Sequence, residues 1–150
     1  MLKELTLYSD VALLLMRLLL GGLMMVHGRQ LLFSKADRAI LIPMMAGLGV
    51  PRVAFELSAI LTFFGGLFAI LGLLTRLIAI FFIIFMLSTI ILYITKLAST
   101  LPMGAFDKDF KKSRGYIKGW ELDTMIITTS LTLLIWGAGA YSLDNLLNIL

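Results

Sequence analysis

Four long runs of apolar residues, separated by shorter and more polar stretches, organise this chain. They cover about 11–32, 53–74, 77–95 and 122–143. Each run is close to the roughly 20 residues that a helix needs to cross about 30 Å of hydrocarbon. The pattern therefore predicts an all-α protein, in which four transmembrane helices form an integral membrane bundle.

The connections between the runs constrain how the helices follow one another. A turn of a few residues at 72–76 joins the second run to the third, so these two helices are predicted to be antiparallel neighbours. The apolar patch 40–45 is too short to span, which favours an interfacial or re-entrant segment. No polar stretch is long enough to hold a second unit, so residues 1–150 are predicted to form a single domain.

Composition agrees with a membrane protein and excludes several kinds of chemistry. The chain is 60% apolar with a mean hydropathy of +1.01, well above the range of soluble domains. It has no cysteine, which excludes a dithiol mechanism and a Cys-ligated metal site in this chain. A single histidine without ligand spacing around it gives no metal site either, so no metal is predicted.

Basic residues predict the topology. Ten of the Lys and Arg residues lie in the first-to-second and third-to-fourth connections and the adjoining ends of the runs, whereas the opposite side has only Lys3 and Arg76. The positive-inside rule then places the loops 33–52 and 96–119 in the cytoplasm and both termini outside a cell membrane. The net charge of +4 is thus a topological signal, and no nucleic-acid partner is predicted.

Two stripes at helical spacing indicate packing faces. The second run carries small residues, which allow close helix approach in lipid: Ser58, Thr62, Gly65, Ala69 and Gly72. The fourth run carries the most polar stripe: Glu121, Met125, Thr128, Thr132, Ile135 and Gly139. The third run is bulky nearly all round, so we expect it to be the most lipid-exposed, with the first, second and fourth helices forming the core.

Arg17 is the sharpest single signal, because it interrupts the first apolar run. A charge at the bilayer centre costs about 2.5–3.5 kcal/mol on insertion scales, so Arg17 should face the bundle interior. It shares a stripe with Gly21, Met24 and Gly28. Two interpretations stay open: a site for a ligand's anionic or carbonyl oxygen, and a structural arginine bonded to helix carbonyls or a carboxylate.

Other polar residues lie at the ends of the runs. His27 either relays protons or interacts favourably with a helix C-terminus. Glu121, at the start of the fourth run, either exchanges protons or is an acid at a helix N-terminus in the head-group region. Glu56 is expected to be an interfacial side chain that reaches either lipid head groups or Arg52, four residues earlier.

On the opposite side, Arg76 either binds an anion or anchors to lipid phosphates. Asp144 is predicted to lie within reach of it, which would explain both residues structurally.

An ordered set of motifs resembles the DoxX family of small four-helix membrane proteins. The motifs are Arg17…Gly21…His27-Gly28-x-Gln30, then Gly65-Gly66…Gly72-x-x-Thr75-Arg76, then Gly119-x-Glu121…Gly137-x-Gly139-x-x-Ser142-Leu143-Asp144. The resemblance covers the chain from about Arg17 to Asp144. The sequence departs from the family pattern at Thr62, where a Glu is usual, and at Leu31, where a Lys often follows the His-Gly-x-Gln motif.

The resemblance implies a membrane subunit linked to redox assemblies, including thiosulfate–quinone oxidoreductase in DoxD relatives. On this hypothesis a quinone binds among the first, second and fourth helices, and Arg17 orients its head group. His27 and Glu121 handle protons, and Thr62 and Thr128 are further candidates for contact with the ligand. Electrons must come from a partner, so the chain is not expected to be catalytic alone.

Two alternatives lead to other classes of protein. A scaffold or assembly factor would use the small-residue faces and the basic loop to bind a protein partner or a second copy, without a ligand. A channel or transporter is less favoured, because four helices with one deep charge and no broken helix offer little pathway.

Overall fold

The computed structural model describes residues 8–92, 94–95 and 120–149, and all the regular structure in these ranges is helical. In chain order the helices are α1 (Ser9–Phe33), α2 (Lys35–Gly47), α3 (Arg52–Leu71), α4 (Thr75–Leu92), α5 (Trp120–Trp136) and α6 (Leu143–Leu146). Within these ranges α1, α3 and α4 are long and apolar enough to cross a membrane, and α5 is a shorter apolar helix. The prediction of an all-α membrane bundle is confirmed.

The patch expected at the interface belongs to a helix of its own. α2 begins immediately after Ser34, whose hydroxyl accepts a hydrogen bond from the Asp37 backbone N–H at 3.3 Å. At 13 residues this helix is too short to span a bilayer and is consistent with an interfacial position. The loop 96–119 predicted to be cytoplasmic lies outside the described residues.

The fourth long apolar helix is shorter than predicted. The sequence places its end near residue 143, but α5 stops at Trp136 because Gly137 and Gly139 take positive φ angles of 77° and 78°. An α-helix cannot continue through that conformation. The chain after Trp136 instead folds back over the end of the bundle and finishes in the short helix α6.

Helix pairing differs from the predicted core. α1 packs mainly against α3, and α5 packs mainly against α4. α4 is the least buried of the three long helices, at 22% against 33%, as its bulky sequence suggested. However, Phe82 and Met86 of α4 are buried in the core beside Leu133 of α5. The expectation of a core built from the first, second and fourth helices alone is therefore wrong.

Glycines set the close approach of α1 and α3. A Cβ added to Gly21 would lie 2.5 Å from the Gly66 carbonyl oxygen, and one added to Gly28 would lie 2.5 Å from the Phe63 backbone nitrogen. Gly65 faces α4, where an added Cβ would lie 3.3 Å from the ring of Phe82. Backbone-to-backbone packing of this kind replaces the hydrophobic drive that lipid does not supply.

Candidate functional site

Arg17 is enclosed in the bundle, with an exposed fraction of 0%. Its Nη2 donates to the backbone carbonyl oxygen of Tyr141, in the segment after α5. Gly72 lies directly against the guanidinium, and a Cβ there would meet Nη1. Among the described residues, Nε and Nη1 have no hydrogen-bond partner. The side chain thus connects the C-terminal segment to the α3–α4 turn. Two of its three nitrogen atoms have no hydrogen-bond partner among the described residues.

Carboxylates fix the same end of the bundle. Asp10 Oδ1 accepts from the Ala140 backbone N–H at 2.9 Å. Asp144 accepts from the N–H groups of Leu74 at 2.6 Å and Thr75 at 2.8 Å, which cap the N-terminus of α4. Asp144 is also close enough to Arg17 to interact with it electrostatically. The charge of Arg17 therefore has a nearby counter-charge.

Arg76 and Asp144 lie at the same end, as the sequence predicted, and both line an open cavity of about 500 Å³. The Asp144 carboxylate directs its hydrogen bonds to the start of α4 and not to the Arg76 guanidinium. Arg76 is exposed at the rim of this cavity. The cavity is open and polar, so it resembles a wet surface depression more than an enclosed site.

A second cavity, of about 180 Å³, lies at the opposite end between α1, α4 and α5. Three polar side chains line it, His27 and Gln30 from α1 and Asp123 from α5. Its remaining lining is apolar: Leu23, Met24, Val26, Met86, Leu122 and Ile126. An apolar pocket with a few convergent polar groups is the usual form of a small-molecule site. We call it the His27 cavity.

The His27 cavity opens to the side of the bundle, because His27 and Gln30 are exposed while Met24 is 1% exposed. His27 lies six residues before the end of α1, about 9 Å along the axis. Asp123 lies in the first turn of α5. A lipid-soluble molecule could therefore enter from the bilayer near its head-group region.

Asp123 was missed by sequence reasoning. The sequence did show that Asp123 is a second acidic residue, two positions after Glu121. Because of this spacing, Asp123 lies on a different face of the helix from the polar stripe.

Of the two candidates on α5, Thr128 does not face the bundle. Thr128 is exposed, and its hydroxyl donates to the Thr124 carbonyl at 2.8 Å. Met125 and Ile135 on the same stripe are 68% and 71% exposed. Glu121 belongs to the first turn of α5, but its side chain lies outside the described part of the structure. The part of the polar stripe that the structure describes on α5, from Met125 to Ile135, therefore lies mainly on the outer surface.

Thr62 is fully buried in α3, and its hydroxyl has no hydrogen-bond partner among the described residues. A buried unpaired hydroxyl lowers stability, and the effect in a membrane protein should be small because interhelical hydrogen bonds there average only about 0.6 kcal/mol. We therefore expect Thr62→Val to raise the melting temperature slightly in detergent. Thr128→Val is the matched control. Because the Thr128 hydroxyl is exposed and hydrogen-bonded, removing it should not raise the melting temperature. A lower melting temperature for Thr62→Val would show that the hydroxyl is bonded.

Metal ligands do not cluster in the described ranges, where no group of three or more His, Cys, Asp or Glu side chains could hold an ion. Glu56, predicted to reach Arg52, lies 3.7 Å from its Nε and also pairs with Arg38 of α2. This pairing makes Glu56 part of the α2–α3 junction and not of either cavity.

The fold and its buried polar groups define a small α-helical integral membrane protein with several membrane passes. The DoxX family model matches residues 12–95, more than half of the chain. The chain belongs to the DoxX family, as its motifs indicated. It is 36% identical over 104 residues to the inner membrane protein YqjF of Escherichia coli strain K12, an alignment that covers 69% of each chain. No solved structure matches it.

Proposed function

We propose that this DoxX-family protein binds the head group of a membrane quinone in the His27 cavity, as the membrane subunit of a redox assembly. The observation that carries the proposal is the cavity itself. It combines an apolar wall with an imidazole, an amide and a carboxylate at one point of the bundle. Hydrogen-bonding groups on an apolar wall suit a flat ring with carbonyl oxygens.

The size of the cavity supports a single ring. Its volume of about 180 Å³ compares with roughly 150 Å³ for an engineered cavity that binds benzene. A long apolar tail would not fit inside, so it would leave through the side opening past Val26 and lie in the bilayer.

The three polar side chains have separate roles in this proposal. A bound quinone supplies an acceptor for two electrons and two protons. The Gln30 amide and the His27 imidazole hold its oxygens by hydrogen bonds, and the imidazole can pass a proton near neutral pH. Asp123, in the first turn of α5, exchanges that proton with the head-group region. None of these side chains carries electrons, so the electrons come from a partner.

Arg17 belongs to a different level of the bundle. It lies ten residues before His27 on α1, about 15 Å along the axis. A ring in the His27 cavity does not reach its guanidinium. We therefore assign Arg17 a structural role, and we propose that the quinone binds in the His27 cavity, toward the other end of α1.

The proposal is tested by titrating the purified full chain with decylubiquinone. Losing one hydrogen bond of about 1 kcal/mol weakens binding about fivefold, so His27→Leu and Gln30→Leu should each raise Kd by about that factor or more. His27→Gln and Asp123→Asn keep hydrogen-bonding groups and should bind within about threefold of the unchanged protein.

Arg76→Leu, at the other end of the bundle, is the matched control and should leave Kd unchanged. Melting curves of every variant confirm that the compared proteins are folded. Equal affinity in all folded variants would reject the His27 cavity as the site. Absence of binding in the unchanged protein would favour the scaffold hypothesis.

A further inference from the structure

A third concave surface lies where α1, α2 and α3 meet, at the same end of the bundle as the His27 cavity but separate from its lining. It is an open depression of about 340 Å³, lined by Lys35, Arg38, Ala39, Ile42, Pro43 and Arg52. Three cations thus face one apolar wall. We call it the basic pocket, and we propose that it binds the head group of an anionic phospholipid.

Arg38 is the fixed element of the basic pocket. Its Nη1 donates to the Leu31 carbonyl of α1 at 2.8 Å, and its Nη2 pairs with Glu56 of α3. Its guanidinium also lies 5.9 Å from the ring centroid of Phe55. These contacts hold one cation in place before any ligand arrives, which lowers the entropic cost of binding.

The other two cations are available to a ligand. Lys35 is exposed, and the Arg52 side chain is 74% exposed. Glu56 neutralises one of the three charges, so the basic pocket keeps two positive charges. That excess matches a phosphate diester or a pair of them.

The position of the basic pocket selects a lipid over a soluble anion. It lies between the end of one spanning helix at Phe33 and the start of another at Arg52. On α2, Ile40 and Met44 are 67% and 38% exposed, which fits a helix that lies in the membrane surface. A ligand there meets both charge and hydrocarbon, and basic pockets between helix ends commonly hold phospholipid head groups.

The test is native mass spectrometry of the full chain in detergent, titrated separately with dioleoylphosphatidylglycerol, dioleoylphosphatidylcholine and inorganic phosphate. We expect the anionic dioleoylphosphatidylglycerol to bind most tightly. Removing two cations near a membrane surface should weaken that binding about thirtyfold in the Lys35→Ala/Arg52→Ala variant. Because both side chains are exposed, the melting temperature should be nearly unchanged.

Arg29→Ala/Arg76→Ala is the matched control, since it removes two exposed cations outside the basic pocket. Its affinity for dioleoylphosphatidylglycerol should stay within about twofold of the unchanged protein, because these two charges do not contact the bound lipid directly. Equal losses in both double variants would overturn the proposal in favour of diffuse attraction to a basic surface. Equal binding of the choline lipid would overturn it too, and tight binding of inorganic phosphate would assign the pocket to a soluble anion.

Discussion

Replacing Gly72 with alanine is expected to lower the melting temperature by about 10 °C, if the variant folds at all. Gly72 has a φ of 65°, which costs a residue with a side chain about 1–2 kcal/mol. The added Cβ would also lie 2.6 Å from the Ser142 Cβ and directly against the Arg17 guanidinium. Arg17 is fully buried and cannot withdraw, so overpacking adds about 1–3 kcal/mol.

The matched control for this variant is Gly47→Ala, also at a helix end. Gly47 has open space around it and no positive φ. Thermal unfolding followed by circular dichroism in detergent should show little change for Gly47→Ala. If Gly72→Ala has the same melting temperature as the unchanged protein, Arg17 is not held against the α3–α4 turn.

Gly28→Ala is expected to have the next largest effect, by separating α1 from α3. The added Cβ would lie 2.5 Å from the Phe63 nitrogen and 2.6 Å from its Cα. These are backbone atoms, so no side chain can move aside and the two helices must shift. Overpacking of this kind costs about 1–3 kcal/mol and occasionally more.

Gly22→Ala is the control on the same helix, because nothing lies within 4 Å of its added Cβ. Alanine also has a higher helix propensity than glycine, so this variant should match the unchanged protein or melt slightly higher. A Gly28→Ala protein as stable as Gly22→Ala would mean that α1 and α3 do not approach by backbone contact.

Much of the fold could be predicted because a spanning helix needs length and apolar character, and both are visible in the sequence. The end of α5 was less visible. Residues 137–143 are apolar enough to continue the run, and only the positive φ of Gly137 and Gly139 stops the helix. Two glycines in a membrane helix are common, so their presence did not predict a turn.

The orientation of α5 could not be read from its polar stripe. Threonine hydroxyls in a helix can bond to the carbonyl four residues earlier, as Thr128 and Thr132 do at 2.8 Å and 3.1 Å. A threonine satisfied in this way can face lipid at little cost. The stripe therefore carries no information about which face is buried.

The location of Arg17 followed from the cost of a charge in lipid, but its partner did not. Tyr141 contributes a backbone carbonyl, which every residue has, from 124 positions away in the sequence. Asp123 was hidden for a related reason, since its value as a cavity residue depends on how α5 is rotated against α1. The partner of Arg17 and the position of Asp123 both depend on how the helices pack, which the pattern of residues along the chain does not show.

Quinone binding in the His27 cavity can be tested by measuring the quinone that the protein retains from its own membrane. The unchanged chain, His27→Leu, Gln30→Leu and Arg76→Leu would be extracted in mild detergent, and the amount of quinone per protein would be measured by chromatography. We expect near-equal amounts of quinone and protein in the unchanged chain and in Arg76→Leu, and a clear loss of quinone in the two folded cavity variants. Quinone at the lipid background level in all four proteins would contradict it.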